Sequence, residues 1–76
     1  MMELNANDTF KQTLSKAQGL GVRVLLHLKN GDTLGGAVGG VSDTHVVLKE
    51  LSERDFFDAI ICVDSICAIE VRARNS

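Results

Sequence analysis

The stretch Val22-Arg23-Val24-Leu25-Leu26-His27-Leu28-Lys29-Asn30-Gly31-Asp32-Thr33-Leu34-Gly35-Gly36-Ala37-Val38-Gly39-Gly40-Val41 decides the fold. Val22, Val24, Leu26 and Leu28 alternate with Arg23, Leu25, His27 and Lys29, the period of a strand with one apolar face. Asn30-Gly31 follows at once, and this dipeptide is the strongest local signal for a hairpin, with both residues expected at positive φ. The return strand carries Thr33, Leu34, Gly36, Val38 and Val41 and is interrupted by Gly35-Gly36 and Gly39-Gly40. Glycines at that density mark sharp bending or close backbone approach. They do not form a phosphate loop, because no Lys-Ser/Thr follows them and no helix begins there. His27, on the parity opposite Val24 and Leu26, is expected at a surface or an interface.

Downstream, Ser42 to Thr44 reads as a tight connection. His45 to Leu51 is expected as a third strand, with Val46 and Leu48 on one face and His45, Val47 and Lys49 on the other. Ser52 to Asp55 is a charged loop. Phe56 to Val63 is expected as a fourth strand, apolar enough for both faces to be covered. Asp64-Ser65 is a two-residue break, Ile66 to Arg72 a fifth strand, and Ala73 to Ser76 a polar tail. Upstream, Met1 to Ala6 is polar enough to fray. Asn7 or Asp8 can cap a helix expected over Asp8 to Gln18, with Phe10, Leu14 and Ala17 on its apolar stripe and Gly19 and Gly21 ending it.

With 76 residues the chain has room for one domain, 1–76, with a helix at about 8–18, a barrel at about 22–72 and a tail at 73–76. A domain of this size buries only about 60% of its unfolded surface, so association with further copies is a natural source of stability. Hydrophobic residues make up 45% and charged residues 24%, ordinary globular values. No apolar run is long enough to span a bilayer, and no basic-then-apolar leader opens the sequence. A reducing, cytoplasmic setting is therefore expected, without a membrane partner. Cys62 and Cys67 read as small core hydrophobes; with His27 and His45 they draw no zinc site, so no metal and no cofactor is expected. The net charge of −2 argues against strong nonspecific attraction to nucleic acid.

The expected fold class is mainly β: an N-terminal α-helix followed by a five-stranded, strongly bent antiparallel small barrel of SH3-like type. An open barrel of this kind leaves strands four and five as edges, and both are apolar here. Apolar edges invite pairing with another copy. If strand four of one subunit meets strand five of the next, the contact is head-to-tail and can close into a homo-oligomeric ring.

This pattern resembles the Sm/LSm superfamily, and its length and spacing are closest to the bacterial Hfq-type members. The residues that carry the resemblance are Val22, Val24, Leu28, Asn30, Gly31, Leu34, Gly36, Val38, Val41 and Leu48 in a first motif. Ile60, Ile61, Asp64, Ser65, Ile66 and Ile69 carry a second. The resemblance spans roughly Asp8 to Arg72. It implies a ring of about five to seven subunits through strands four and five. It also implies single-stranded RNA, or alternatively single-stranded DNA, bound at the central pore, with a role in RNA processing or regulation. By position it assigns base recognition to Ser42, Asp43, Thr44 and His45 in the first loop and to Asp64 and Ser65 in the second. Lys11, Gln12 and Lys16 would line the ring face that carries the helices. The aromatic residue common before the first-loop aspartate is Ser42 here, and the basic residue of the second loop is replaced at Asp64. Those replacements imply weakened uridine binding, and weak helix cations multiplied around a ring whose net −2 charges also add imply modest, steeply salt-dependent affinity.

The same residues admit other readings. Ser42, Asp43 and His45 have the residue types of a hydrolytic triad, but near neighbours along a strand point to opposite faces, so no enzyme is expected. Local side-chain bonding at a turn is the plainer role for Ser42 and Asp43. An oligomeric scaffold or protein-interaction module without nucleic-acid binding fits the acidic balance and the missing loop aromatics. A monomeric SH3-like peptide binder lacks the aromatic groove such domains use.

Overall fold

The computed structural model describes residues 2–72. The expected tail at 73–76 lies outside the described residues. In chain order the elements are helix α1 (Phe10–Leu20), strands β1 (Arg23–Leu28), β2 (Thr33–Val41), β3 (His45–Lys49) and β4 (Ala59–Cys62), a single 3₁₀ turn (Val63–Ser65), and β5 (Ile66–Val71). The strands form one five-stranded antiparallel sheet in the order β4-β3-β2-β1-β5, with β4 and β5 at its two ends.

That order dictates curvature. Laid flat, four interstrand spacings would separate β4 from β5 by about 19 Å. Only Val63–Ser65 joins Cys62 to Ile66, and a 3₁₀ segment of that length advances only about 6 Å. The sheet must therefore curl until its two ends approach each other at the 3₁₀ turn. The bending has identifiable seats. The β2–β3 register slips between Val38 and Gly40, leaving Gly39 as the extra residue. At Gly36 a Cβ would come within 2.8 Å of the Lys49 carbonyl oxygen, so only glycine allows β2 to pass that close to β3. A second slip, between His27 and Leu28, bends β1 against β5.

The helix starts two residues later than its sequence predicts and is capped by Thr9, not Asn7 or Asp8. The physical reason is reciprocity. The Gln12 N–H donates to Thr9 Oγ1 (3.1 Å) and the Thr9 N–H donates to Gln12 Oε1 (2.8 Å), so two orphan amides are satisfied at once. At the other end Gly21 takes φ 66° and donates to Gln18 O, while the Val22 N–H reaches Ala17 O at 3.0 Å. This pair of bonds carries the helix past Gly19 to Leu20 before the chain turns into β1.

The β1–β2 turn departs from the two-residue hairpin that Asn30-Gly31 predicts. Only Gly31 has positive φ (94°). The Gly31 N–H bonds Leu28 O, and the Leu28 N–H bonds Asp32 O. Asn30 keeps negative φ, and its Oδ1 accepts from the Asp32 N–H at 3.0 Å. A turn followed by one left-handed glycine replaces the two left-handed residues of a two-residue hairpin.

The core is built from Leu14 and Ala17 of the helix together with Val24, Leu26, Val46, Leu48 and Ile66 of the sheet, closed by Leu51. Met2 joins it at 1% exposure, its side chain docked among the core residues, so the expected fraying of the N-terminal segment does not hold at Met2, while residues 3–6 are exposed. The fourth strand is also shorter than expected. Phe56 sits at φ 69° in a turn, fully exposed, and pairing with β3 begins only at Ala59. One face of β4 is bare, with Ile60 69% exposed while Ile61 is buried. Cys62 and Cys67 are exposed, not core. Cys62 takes the face opposite Ile61, and Cys67 falls at the slip between β1 and β5. No helix is long and apolar enough to cross a membrane among the described residues.

Candidate nucleic-acid interface

The turn between β2 and β3 is self-contained. The Ser42 N–H bonds His45 O at 2.8 Å, and Ser42 Oγ accepts from the His45 N–H at 3.1 Å. The side chain of Ser42 thus folds the turn, as short hydroxyl side chains do. Asp43, at the apex, is exposed and receives the Lys11 ammonium from the helix. That hydrogen bond and the adjacent positive charge hold the Asp43 carboxyl below the usual carboxylate range.

His45 opens β3 and faces the last residue of β4, Cys62. Its Nδ1 lies 2.7 Å from Thr44 Oγ1, and its Nε2 lies 3.7 Å from Cys62 Sγ. The imidazole is thereby fixed on both sides at the rim of a shallow hollow of about 300 Å³ shared with Gly40, Val47 and Ile60. Val47 and Ile60 give that hollow apolar walls.

The second expected segment is a 3₁₀ turn instead of a two-residue break, because Val63 joins Asp64 and Ser65 in it. The structure brings it against the first. The Val63 N–H donates to Thr44 O at 2.9 Å, so Asp64 lies one residue from a direct link to the 42–45 turn. Ser65 O accepts from the Lys29 N–H at 2.8 Å, tying the same turn to the β1–β2 hairpin. Asp64 and Ser65 line a groove of about 580 Å³ together with Lys29, Leu34 and Ile60.

The candidates from the helix behave differently. Lys11 reaches the loop but is matched by Asp43. Lys16 pairs with Asp8 at 3.0 Å. Gln12 spends its side-chain oxygen on the helix cap, facing Thr9 and not the loop. The structure thus joins Lys11, Ser42, Asp43, Thr44 and His45 in one cluster, sets Asp64 and Ser65 beside it, and leaves Gln12 outside. Cys62 is a member of the cluster that sequence reasoning misses. Its only signal is register: His45 begins β3 and Cys62 ends β4, a pairing visible once the strand ends are known. His27 lies with Nε2 3.4 Å from Glu70 Oε1, a close approach across β1 and β5 without hydrogen-bond alignment.

No protein-family model matches the chain, and neither a curated protein nor a solved structure does.

Proposed function

We propose that this chain is an Sm-like protein that assembles in the cytoplasm into a homo-oligomeric ring through the edges of β4 and β5 and binds single-stranded RNA at the pore. The observation that carries this reading is the bond from the Val63 N–H to Thr44 O, because it unites the two short loops that such a pore would present. His45 is the residue we assign to base contact, held at its rim position by Thr44 and Cys62. The edges support assembly: among the described residues β4 pairs only with β3 and β5 only with β1, and both carry exposed apolar side chains.

One observation favours a second reading, an oligomeric scaffold without nucleic-acid binding. The helix lysines expected to attract phosphate are matched by Asp43 and Asp8, and the net charge of −2 is multiplied in any assembly.

Native mass spectrometry of the purified chain, followed by binding of poly-U, poly-A and single-stranded DNA at about 50 mM salt, separates the two. The RNA reading expects one species of about five to seven subunits that binds RNA, with binding lost in His45→Ala and the mass unchanged. A ring that binds no oligonucleotide selects the scaffold. A stable monomer overturns both.

A further inference from the structure

Lys11 and Lys16 are paired to carboxylates, so neither is a free anchor for an anionic ligand. Arg23 and Arg72 supply a place for one. Val24 pairs with Val71, so Arg23 and Arg72 stand one register step further along, on the face that also carries Leu25 and Glu70. Both arginines line an open hollow of about 480 Å³ whose wall includes Gly35 and Ser52. Like charges opposite each other across an antiparallel pair destabilise it unless something neutralises them. Among the described residues neither arginine has a carboxylate within ion-pair distance.

Arg23 is also pre-oriented. One guanidinium nitrogen, Nη2, donates to Glu50 O at 2.7 Å and to Ser52 Oγ at 3.0 Å, and Ser52 is itself anchored by its N–H on Gly35 O at 2.9 Å. The remaining guanidinium donors have no protein acceptor among the described residues, and a planar fork so placed matches a phosphate. Gly35 keeps the wall open, since a Cβ there would press within 3.1 Å of Ser52 Oγ. Glu70 is the acidic residue in the lining, and its Oε1 is directed to His27 Nε2 at 3.4 Å.

We propose that Arg23 and Arg72 form a phosphate-binding hollow at the paired ends of β1 and β5 and that its ligand is a backbone phosphate of single-stranded RNA. The source of the phosphate rests on the RNA reading above; the hollow itself does not. RNA crossing this face would be held by its backbone there while its bases are read at His45.

The test has two arms. In the first, RNA affinity is measured against salt for the wild type, Arg72→Gln and Arg23→Lys, the last keeping the charge but losing the fork. Arg72→Gln is expected to weaken binding roughly tenfold at low salt and to lower the log–log salt slope by about 0.7 for each phosphate no longer neutralised. Unchanged affinity and slope in both variants, with the wild type binding RNA, overturns the hollow and leaves the RNA reading intact. In the second arm, the arginine Nε–H resonances of the wild type are followed by NMR during titration with inorganic phosphate against matched chloride. Saturable shifts of Arg23 and Arg72 with phosphate alone support the hollow even where no RNA binds, in which case the RNA reading has failed and the site is one for free phosphate groups. No shift with phosphate and no RNA binding overturns the proposal. Because Arg72 makes no hydrogen bond through its side chain within the described residues, its variant tests the ligand without disturbing the loop that Arg23 braces.

Discussion

Lys11, on the second residue of α1, donates to Oδ1 of Asp43 at the apex of the β2–β3 turn, 32 positions away. This ion pair fastens the helix to the loop that the candidate RNA interface depends on. Both side chains are largely solvent-exposed, so it sets position more than stability.

The pair makes a pH prediction with a definite sign. A carboxyl held below its ordinary range contributes its full tether above that range and loses it only as pH falls through the lowered value. The loop is therefore expected to stay fastened throughout the neutral range and to release only as pH falls below the ordinary aspartate range. Titration of the Asp43 side-chain carbon by NMR should show a midpoint below that of ordinary aspartates, returning to the ordinary range in Lys11→Gln. Identical midpoints in the two proteins would show that the tether does not exist in solution.

Gly36 and Gly40 should respond oppositely to the same change. An alanine Cβ at Gly36 meets the Lys49 carbonyl oxygen at 2.8 Å, whereas nothing lies within 4 Å of one at Gly40. Gly36→Ala is expected to cost about 1–3 kcal/mol in urea unfolding, the range for forced overpacking. Gly40→Ala should stay near wild type. Equal stability of the two variants would show that close passage of β2 and β3 is not what bends the sheet.

Leu26 has no exposure and sits at the centre of β1 within the core. Leu26→Ala is expected to destabilise by about 2–5 kcal/mol, a large share of what so small a domain has to lose. Denaturant titration at fixed protein concentration checks this; a loss below about 1 kcal/mol would place the core elsewhere.

Ile60 lies exposed on β4, at the edge we assign to assembly. A lysine there introduces the kind of charge that keeps edge strands unpaired. Ile60→Lys is expected to give a folded monomer, with wild-type circular dichroism and a subunit mass in native spectrometry. An unchanged assembly would move the interface off β4.

Much of the sheet is legible in the sequence because its signals are local. The alternation in β1, the Asn30-Gly31 turn and the glycines of β2 each report on a few neighbouring residues, and each lies where its local pattern predicts. What escapes such reading depends on distant geometry. Phe56 and Phe57 have the residue type of a strand, and only the positive φ of Phe56 shows that the chain is still turning there, ahead of β4. Nothing near Met2 in sequence says that Leu14 and the sheet leave room for its side chain. Both cysteines read as core because residue type does not reveal which face of an edge strand is open. In the candidate site, adjacency alone brings Ser42–His45 together, whereas the Lys11–Asp43 and His45–Cys62 contacts arise from packing of separate elements.

The place of β1 between β2 and β5 has a consequence for the order in which the molecule forms. β1 meets β2 across a tight turn but meets β5 only after all the intervening strands have been gathered in, with Val24 opposite Val71. Closing that span is the largest entropic step in the topology, and contacts so remote in sequence slow folding. The three-strand meander β1–β2–β3 is thus the natural nucleus, and β5 is the last strand to gain its hydrogen bonds. Pulse-labelled hydrogen exchange during refolding should show amides of β2 and β3 protected before those of β5; simultaneous protection would mean that the sheet condenses as one unit.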